Sequence, residues 1–256
     1  GLIYSPLVSI GMPVHNGEPF IAKAIESLLN QTHTDFDLII SDNFSTDNTE
    51  RICKSYQKND NRIIYFRQKE NKGSTFNYKF VLEQSRGSLF VWAAHDDFWN
   101  KNFIKEGVNF LLNNPSYDVW SSSCINIDSS GNEIEKLKTY DRFTCQRYSF
   151  TSICKYALEP ENIGKANMYY SMHRRENLNN LTNEYFIKDE CPWTDYVFNI
   201  FTLYNSNFYG SNKHLFYKRI NCSFNKTANY IVRKRNPWKT GFSIQWSRSY
   251  IVEHFK

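Results

Sequence analysis

The chain of 256 residues, with 41% hydrophobic residues and a formal net charge of +5, is long enough to bury a substantial core. It contains no run of the roughly 20 apolar residues that a membrane-spanning helix needs. Its first residues lack the basic segment and apolar core of a signal peptide. These features argue against an integral membrane protein and predict a soluble, unprocessed chain.

The six cysteines show neither CxxC spacing nor the density of a small disulfide scaffold. Reduced thiols are therefore expected. The sequence also contains sequons, such as the one at Asn43, that would be open to glycosylation in a secretory lumen. Both observations predict a cytoplasmic protein.

Strands and helices alternate along the first part of the chain. Runs of apolar residues predict strands at Leu7–Val14, Asp37–Ser41, Arg62–Phe66 and Ser88–Ala94. Apolar residues at helical spacing predict helices at Pro19–Leu29, Asn48–Tyr56 and Ser74–Gln84. Such alternation is typical of parallel strands joined by right-handed crossovers, and it predicts a doubly wound α/β sheet.

Beyond the fourth strand, the pattern predicts a helix from Phe98 to about Asn113, a strand at Asp118–Ile127 and a turn at Asp128–Asn132. Later residues mix aromatic, Asn and charged side chains, and a helix is indicated at Tyr196–Phe201. We expect residues 1–130 and 131–210 to be two halves of one domain, the second less regular. Residues 211–256 are expected to form a basic, aromatic C-terminal extension.

The adjacent carboxylates Asp96 and Asp97 follow the strand Ser88–Ala94 directly after His95. Because they repel each other, the fold must solvate them, pair them with cations or provide a divalent metal. At the carboxyl end of a parallel strand, where open α/β sheets bind ligands, they would suit a metal-bound phosphate. The alternative is that Asp96 caps a helix that begins near Phe98.

The predicted topology brings polar loops to the same edge of the sheet as the acid pair. Parallel strands end at a common edge, so the segments that follow each strand should converge there. These segments are Pro13–Glu18, Asp42–Asp47, Arg67–Gly73 and His95–Asp97.

In this order, the loops resemble those of family 2 of the nucleotide-sugar-dependent glycosyltransferases, which have a GT-A fold. The matching segments are Val8–Gly17, Ser27–Thr32, Ser41–Thr49 and Asn71–Gly73, with Asn77, Gly87 and the acid pair. The resemblance spans about the first 130 residues. It implies a Rossmann-like, mostly parallel sheet flanked by helices, with a nucleotide-sugar-binding half followed by an acceptor-binding and catalytic-base half.

The resemblance also implies which residues bind the nucleotide. They are Pro13, His15, Glu18, Asp42, Ser45, Asn71, Lys72 and Asp96. Asp42 is the best candidate for the base, because a carboxylate can accept a hydrogen bond from a pyrimidine N–H. The alternative is that Asp42 and Ser45 shape a turn and cap the next helix.

For the metal, the resemblance implies that Asp97 binds Mn²⁺ or Mg²⁺ bridging the donor diphosphate, with Asp96 facing the ribose or supporting the metal. The family motif usually reads Asp-x-Asp-Asp, whereas this chain has Ala94 in place of the first acid. His95 is expected to form a supporting hydrogen bond or to pack, and an additional metal ligand is the alternative.

The implied reaction is transfer of a sugar, with inversion, from a nucleotide donor to an acceptor hydroxyl in polysaccharide, glycan or glycolipid assembly. A UDP-sugar is the common donor in the family. Deprotonating the hydroxyl requires a positioned carboxylate. By the family pattern this base is Asp195, at the start of the helix Tyr196–Phe201, with Glu190 as the second choice.

Two further segments match the family more loosely. Arg174 and Arg175 form a basic pair that could contact the donor phosphates or the acceptor, or lie on a solvated surface. Asn221 stands where the family segment Tyr-Arg-x-His commonly has His, so a His ligand is not expected there.

From Ser211 onward, ten Lys or Arg residues accompany a single acid, Glu253, and aromatic residues recur every four positions from Trp238 to Tyr250. Such a helix could bind an anionic membrane, which would place the enzyme at the inner membrane face and suit a lipid-linked acceptor. The alternative is that the aromatic residues pack on the catalytic domain and the charged residues face water. The acceptor is expected to be a saccharide or to be lipid-linked. No nucleic-acid partner is expected.

Two other functions remain open. A sugar nucleotidyltransferase would share the sheet and the metal, but it usually has a GxGTR-like loop after the first strand, unlike Pro13–Gly17. A GT-A-like module that binds a sugar nucleotide but has impaired catalysis would explain Ala94 and Asn221, whereas Asp97 and Asp195 argue for an active enzyme.

Overall fold

A computed structural model describes residues 6–137, 143–160, 164–185 and 194–220. The strands are β1 (Val8–Val14), β2 (Phe36–Asp42), β3 (Ile63–Arg67), β4 (Leu89–Trp92), β5 (Phe98–Trp99), β6 (Val119–Ile127), β7 (Glu133–Leu137), β8 (Met172–Arg174) and β9 (Phe208–Arg219). The α-helices are α1 (Ile21–Leu29), α2 (Thr49–Asn59), α3 (Gly73–Glu83), α4 (Phe103–Asn113), α5 (Phe150–Leu158), α6 (Arg175–Tyr185) and α7 (Thr194–Asn205). A 3-10 helix spans Lys165–Tyr170.

Within these described ranges, nine strands form one sheet in the order β3-β2-β1-β4-β8-β6-β9-β5, and β7 pairs with β6. The first four strands are parallel to one another. Every residue of β1, β2 and β4 is buried, as expected for parallel strands covered on both faces. The predicted alternation of strands and helices is confirmed here.

The second half of the sheet is mixed rather than parallel. Strand β8 runs antiparallel to both β4 and β6, β9 runs parallel to β6, and β5 runs antiparallel to β9. The chain therefore leaves the regular α/β pattern after β4. The more irregular second half that the sequence predicts is a continuation of the same sheet.

The segment after the acid pair differs from the prediction. Phe98 and Trp99 form strand β5, and helix α4 begins at Phe103. The short strand is stabilised by stacking on β9, with ring centroids 4.5 Å apart for Phe98 and Tyr217. The alternative that Asp96 caps a helix near Phe98 is therefore wrong.

The proposed division at residue 210 is also corrected. Residues 208–219 form the single strand β9, which lies between β6 and the edge strand β5 and pairs along β6. Residues 211–219 therefore belong to the main domain rather than to an extension. The rest of the predicted extension, and with it the aromatic face from Trp238 to Tyr250, lies outside the described residues.

Aromatic packing joins the two halves on one face of the sheet. Trp92 of β4 is fully buried, and its ring lies 4.7 Å from that of Tyr169 and 5.4 Å from that of Phe198. Such ring pairs stabilise a fold by more than the burial of their apolar area alone. Strand β4, the 3-10 helix and α7 are thereby held together. None of the helices in the described part has the length and apolar character required to span a bilayer.

Candidate active site

The loops after β1 and β2 are tied together at the carboxyl edge of the parallel strands. Asn16 N donates to Ser45 Oγ at 2.9 Å, and Gly17 N donates to Thr49 Oγ1 at 2.8 Å. Gly17 also lies against the acid-pair loop, because a Cβ there would be 2.9 Å from Cδ2 of His95. The predicted convergence of these loops is therefore observed.

Asn43 connects the loop after β2 to the loop after β3. Its Nδ2 donates to Asn71 Oδ1 at 2.8 Å, and its Oδ1 accepts from Lys72 N at 2.9 Å. Its carbonyl oxygen accepts from Nδ1 of the exposed His15 at 3.0 Å. Three predicted nucleotide-binding residues thus contact Asn43: Asn71 and Lys72 through its side-chain amide and His15 through its backbone oxygen.

Two further predicted residues have local structural roles. The Glu18 carboxylate accepts from the backbone N of Asn48 at 3.1 Å and from its side-chain Nδ2 at 2.7 Å. A carboxylate at this point suits the positive end of helix α2. Pro13 is buried in β1, next to Ser41 of β2. Nucleotide contacts of Glu18 and Pro13 stay predictions.

Asp42 is fully buried, and its carboxylate binds three protein donors. Oδ1 accepts from Ser45 N at 2.8 Å, and Oδ2 accepts from Tyr65 Oη at 2.7 Å and from Arg67 Nη1 at 2.9 Å. Burial and the neighbouring Asp42 carboxylate raise the pKa of Tyr65 above its usual range, which keeps it a donor. The geometry matches the turn-shaping alternative, and contact of Asp42 with a base stays a prediction.

Asp97 is paired with a cation from β9. Its side chain is 0% exposed; Oδ2 accepts from Lys218 Nζ at 2.9 Å and Oδ1 accepts from Arg219 N at 2.8 Å. Burial raises the pKa of Asp97 to about 6, and the Lys218 charge opposes that rise. Although burial lowers the pKa of Lys218, the carboxylates of Asp97 and Asp96 raise it above its usual range. The pair is therefore ionised at neutral pH.

Asp96 and His95 have different surroundings from Asp97. Asp96 is half-buried, and no hydrogen bond to its carboxylate forms within the described ranges, although its backbone oxygen accepts from Arg219 Nε at 2.9 Å. Burial lowers the pKa of His95, so the ring is neutral at physiological pH. Of the two acids, Asp96 has the carboxylate that a ligand can reach.

The residues at this edge do not fit the expected Mn²⁺ or Mg²⁺ site. In the part of the chain that the structure describes, no three His, Cys, Asp or Glu side chains are grouped so that they could hold a metal ion. Both oxygens of Asp97, the expected ligand, are bound to donors and shielded from solvent. A cation that binds oxygen at about 2.1 Å would have to displace the Lys218 ammonium.

The 3-10 helix forms one wall beside Lys218. The Lys218 Nζ lies 5.2 Å from the ring centroid of Tyr170, the last residue of that helix. The Tyr170 hydroxyl lies 3.4 Å from that of Tyr78. Burial raises the pKa of Tyr170 well above its usual value, so the hydroxyl stays protonated. Ammonium over an aromatic face is a favourable arrangement that orients the lysine.

Asp195 lies in the first turn of α7, and its Oδ1 accepts from Tyr196 N at 3.0 Å. Helix α7 is fixed to the 3-10 helix by Asn199, whose Nδ2 donates to the carbonyl oxygen of Ala166 at 3.2 Å. The same short helix therefore contacts both the helix of Asp195 and Lys218. The second-choice base, Glu190, lies outside the described residues.

The structure does not bring Arg174 and Arg175 to this edge. Arg174 pairs with Leu89, the first residue of β4, whereas the acid pair follows the other end of that strand. Arg174 Nη2 donates to the carbonyl oxygen of Leu111 at 2.6 Å, and Arg175 Nη1 donates to that of Ser85 at 2.8 Å. The two arginines tie backbone segments together at the opposite edge, and their contact with the donor phosphates or with the acceptor stays a prediction.

Several residues of the site were not singled out from the sequence. They are Lys218 and Arg219 beside the acid pair, Tyr65 and Arg67 around Asp42, and Tyr78 and Tyr170 beside Lys218. A signal existed for Lys218 and Arg219, because they lie in the segment that matches the family's Tyr-Arg-x-His pattern. Arg67 is the first residue of the predicted edge loop Arg67–Gly73, and its position directly after a strand could have indicated it.

Comparison with known proteins shows the family and the fold of this chain. Residues 9–181, more than half of the chain, match the profile of the family described as Glycosyl transferase family 2. An uncharacterised glycosyltransferase of Rickettsia typhi is 38% identical over 116 residues, which cover 45% of this chain and 35% of the relative. The putative teichuronic acid biosynthesis glycosyltransferase TuaG of Bacillus subtilis is 32% identical over 109 residues, 43% of each chain. The chain thus spans less than half the length of these relatives.

Solved structures show the same fold. TarS of Staphylococcus aureus, solved in complex with UDP-GlcNAc, superposes with a TM-score of 0.65 over 83% of this chain and 58% of TarS, at 21% identity. The mannosyltransferase PcManGT of Pyrobaculum calidifontis, solved with GDP-Man and Mn²⁺, has a TM-score of 0.55 over 84% of this chain and 57% of its own, at 15% identity. The fold is therefore GT-A, and the chain belongs to glycosyltransferase family 2.

Proposed function

We propose that this chain transfers a sugar, with inversion, from a nucleoside-diphosphate donor to an acceptor hydroxyl. The observation that carries the proposal is the convergence of the loops after β1, β2, β3 and β4 at one edge, beside an acid that is paired with a cation. Such an edge is where open α/β sheets bind nucleotides. Family membership and the GT-A fold agree with this assignment.

In this proposal, the base and ribose lie among His15, Asn71 and Lys72, with Asp96 facing the ribose. These polar groups are solvent-accessible or half-buried, so a ligand can reach them. The exposed aromatic ring of Phe44, next to Asn43, offers a face for the base. A uridine donor is proposed because TarS, a structural neighbour, was solved with UDP-GlcNAc.

The chemical step needs a base and stabilisation of the leaving diphosphate. The acceptor oxygen forms a bond to the anomeric carbon while the bond from that carbon to the diphosphate oxygen breaks, and the diphosphate leaves with the bonding electron pair. The acceptor proton passes to the Asp195 carboxylate, which is partly exposed in the first turn of α7. Attack opposite the leaving group inverts the anomeric carbon.

The acceptor is proposed to be a saccharide or lipid-linked glycan of a cell-envelope polymer. This follows from TuaG, a relative whose name places it in teichuronic acid biosynthesis. We place the reaction in the cytoplasm, at the inner face of the membrane where the acceptor is lipid-linked. The buried free thiols of Cys53 and Cys124 agree with a reducing compartment.

The test is a donor screen. UDP-, GDP- and TDP-sugars are incubated with the purified chain, with and without Mn²⁺, and the released nucleoside diphosphate is measured. Release above the rate without protein from at least one donor is expected. No release from any donor, together with no change of melting temperature by UDP, GDP or TDP, would contradict the proposal.

The predicted dependence on Mn²⁺ or Mg²⁺ is not part of this proposal, because the side chains at this edge do not suit a metal ion bound by Asp97. Asp97 is enclosed by Lys218 and Arg219, and the first acid of the family motif is Ala94. The donor screen therefore includes an arm without any divalent cation.

A further inference from the structure

Lys218 lies opposite Asp97 because of the pairing between β5 and β9. These strands are antiparallel, with Phe98 opposite Tyr217 and Trp99 opposite Phe216. Continuing this register by one residue places Lys218 across from Asp97, and the observed distance of 2.9 Å agrees. Stacking of Phe98 on Tyr217 fixes the register next to the pair. The lysine is thus held at this point by the sheet.

A divalent cation and Lys218 compete for the same carboxylate. The Asp97 side chain is 0% exposed, and the Lys218 ammonium covers Oδ2 while the Arg219 N–H covers Oδ1. A cation bound to Oδ2 would lie close to the ammonium and be repelled by it. The site therefore already contains a positive charge beside the acid pair.

Lys218 also keeps capacity to bind an anion. An ammonium has three N–H donors, and one of them is used by Asp97. The side chain is 25% exposed, so its outer donors can be reached from the edge of the sheet. Arg219 differs, because it is buried and its guanidinium donates to the backbone oxygens of Asp96, Asp128 and Ser129. Arg219 therefore supports the loop, whereas Lys218 keeps N–H donors that a ligand can reach.

We propose that Lys218 binds the diphosphate of the donor and neutralises the leaving group, so that this chain binds its donor without a divalent cation. This inference rests on the proposed function. Asp97 is then a positioning residue that holds the ammonium, rather than a metal ligand. A lysine bound to one carboxylate can donate its other ammonium hydrogens to phosphate oxygens. Unlike a metal ion that takes part of its ligands from the substrate, the lysine is held in place by the protein alone.

Isothermal titration calorimetry tests the proposal. UDP, GDP and the corresponding nucleosides uridine and guanosine are titrated separately into the wild-type chain, first in EDTA and then in Mn²⁺. The better-binding pair is then titrated into Lys218→Met, Lys218→Arg and Lys213→Met. Lys213 is the matched control, because it lies on the same strand but pairs with Glu106 on helix α4.

We expect wild-type affinity for the diphosphate to agree within about twofold between EDTA and Mn²⁺. Lys218→Met should weaken diphosphate binding about 10- to 100-fold, as for the loss of a charged hydrogen bond, and leave nucleoside binding unchanged. Lys218→Arg should retain most of the affinity in EDTA, and Lys213→Met should match the wild type.

A gain of tenfold or more in wild-type affinity with Mn²⁺, abolished by Asp96→Asn, would overturn the proposal, because the metal would then bind through Asp96. Unchanged diphosphate affinity in Lys218→Met would also overturn it. If Lys218→Met fails to fold, the proposal is still tested by the wild-type diphosphate affinity in EDTA and in Mn²⁺ and by the affinity of Lys218→Arg. Absence of nucleotide binding under every condition would contradict the proposed function itself.

Discussion

The two halves of the sheet build the site in different ways. In the parallel half (β1 to β4), the contacts between edge loops join residues about one βαβ unit apart, such as Asn16 with Ser45, 29 residues away, and Asn43 with Asn71, 28 residues away. In the mixed half (β5 to β9), Asp97 contacts Lys218 across 121 residues. Loop contacts follow from repeated crossovers in the first half, whereas those of the second half depend on strand register.

The largest expected effect tests whether the mixed half supplies the catalytic base. Asp195→Asn should lower the rate of sugar transfer about 10²- to 10⁴-fold, because an amide cannot take the acceptor proton. Affinity for the nucleoside diphosphate, measured by calorimetry, should be unchanged. Glu135→Gln is the matched control, since Glu135 is an exposed acid on β7 of the same half. Transfer at the wild-type rate in Asp195→Asn would place the base on another residue.

The next effect concerns the connection between the halves. Arg219→Met removes a buried guanidinium that donates to the backbone oxygens of Asp96, Asp128 and Ser129. The free energy of unfolding should fall by roughly 3 kcal/mol, because buried acceptors lose their donor. Urea denaturation measures this loss. Lys136→Met, which removes an exposed cation on β7, should change the free energy by less than about 0.5 kcal/mol.

A clash can be introduced into the parallel half without any change of charge. A Cβ at Gly87 would lie 2.5 Å from the backbone N of Ser9 and 2.7 Å from the backbone carbon of Val8, and backbone atoms cannot yield as a flexible side chain can. Gly87→Ala should therefore destabilise the chain by roughly 2 to 3 kcal/mol in urea. Ser88→Ala, at the exposed neighbouring position, is the control and should stay within about 0.5 kcal/mol. Equal stability of both variants would contradict the close approach.

The smallest effect probes the strand where the halves meet. His173 of β8 is fully buried against Trp92 and Phe198, and burial lowers its pKa to about 3. Since the unfolded chain binds a proton below about pH 6.5 and the folded chain does not, stability falls as the pH drops below that value.

For this histidine, the expected loss between pH 7 and pH 5 is about 2 kcal/mol. In urea titrations, the free energy of unfolding of His173→Phe should therefore fall by about 2 kcal/mol less than that of the wild type over the same pH range. His33→Gln, which alters a partly exposed histidine, should follow the wild type. Parallel pH profiles of His173→Phe and the wild type would show that the histidine is not buried in its neutral form.

The sequence predicts the elements of the parallel half well and those of the mixed half only in part. Strands β1 to β4, helices α1 to α3 and the turn at Asp128 were predicted because each depends on apolar spacing or turn residues within about ten positions. Strand β5 was predicted as the start of a helix. Two residues, Phe98 and Trp99, are too few to produce a strand pattern, and their conformation depends on pairing with β9.

The site divides along the same line. The arrangement of polar loops at one edge and the positions of His15, Asn71 and Asp97 in those loops could be read from residue order, because parallel crossovers leave few alternatives. The arginine pair Arg174 and Arg175 could not be placed, since the direction of β8 relative to β4 decides which edge it faces.

The sequence by itself determined that this chain has a GT-A glycosyltransferase core and that an acid pair ends its fourth strand. Only the tertiary structure decided what the acid pair binds. The antiparallel register of β5 and β9 brings Lys218 to Asp97, and a contact across 121 residues leaves no periodic signal in the sequence. The physical reason is that crossovers are local and repeat, whereas register comes from packing of distant side chains such as Phe98 on Tyr217.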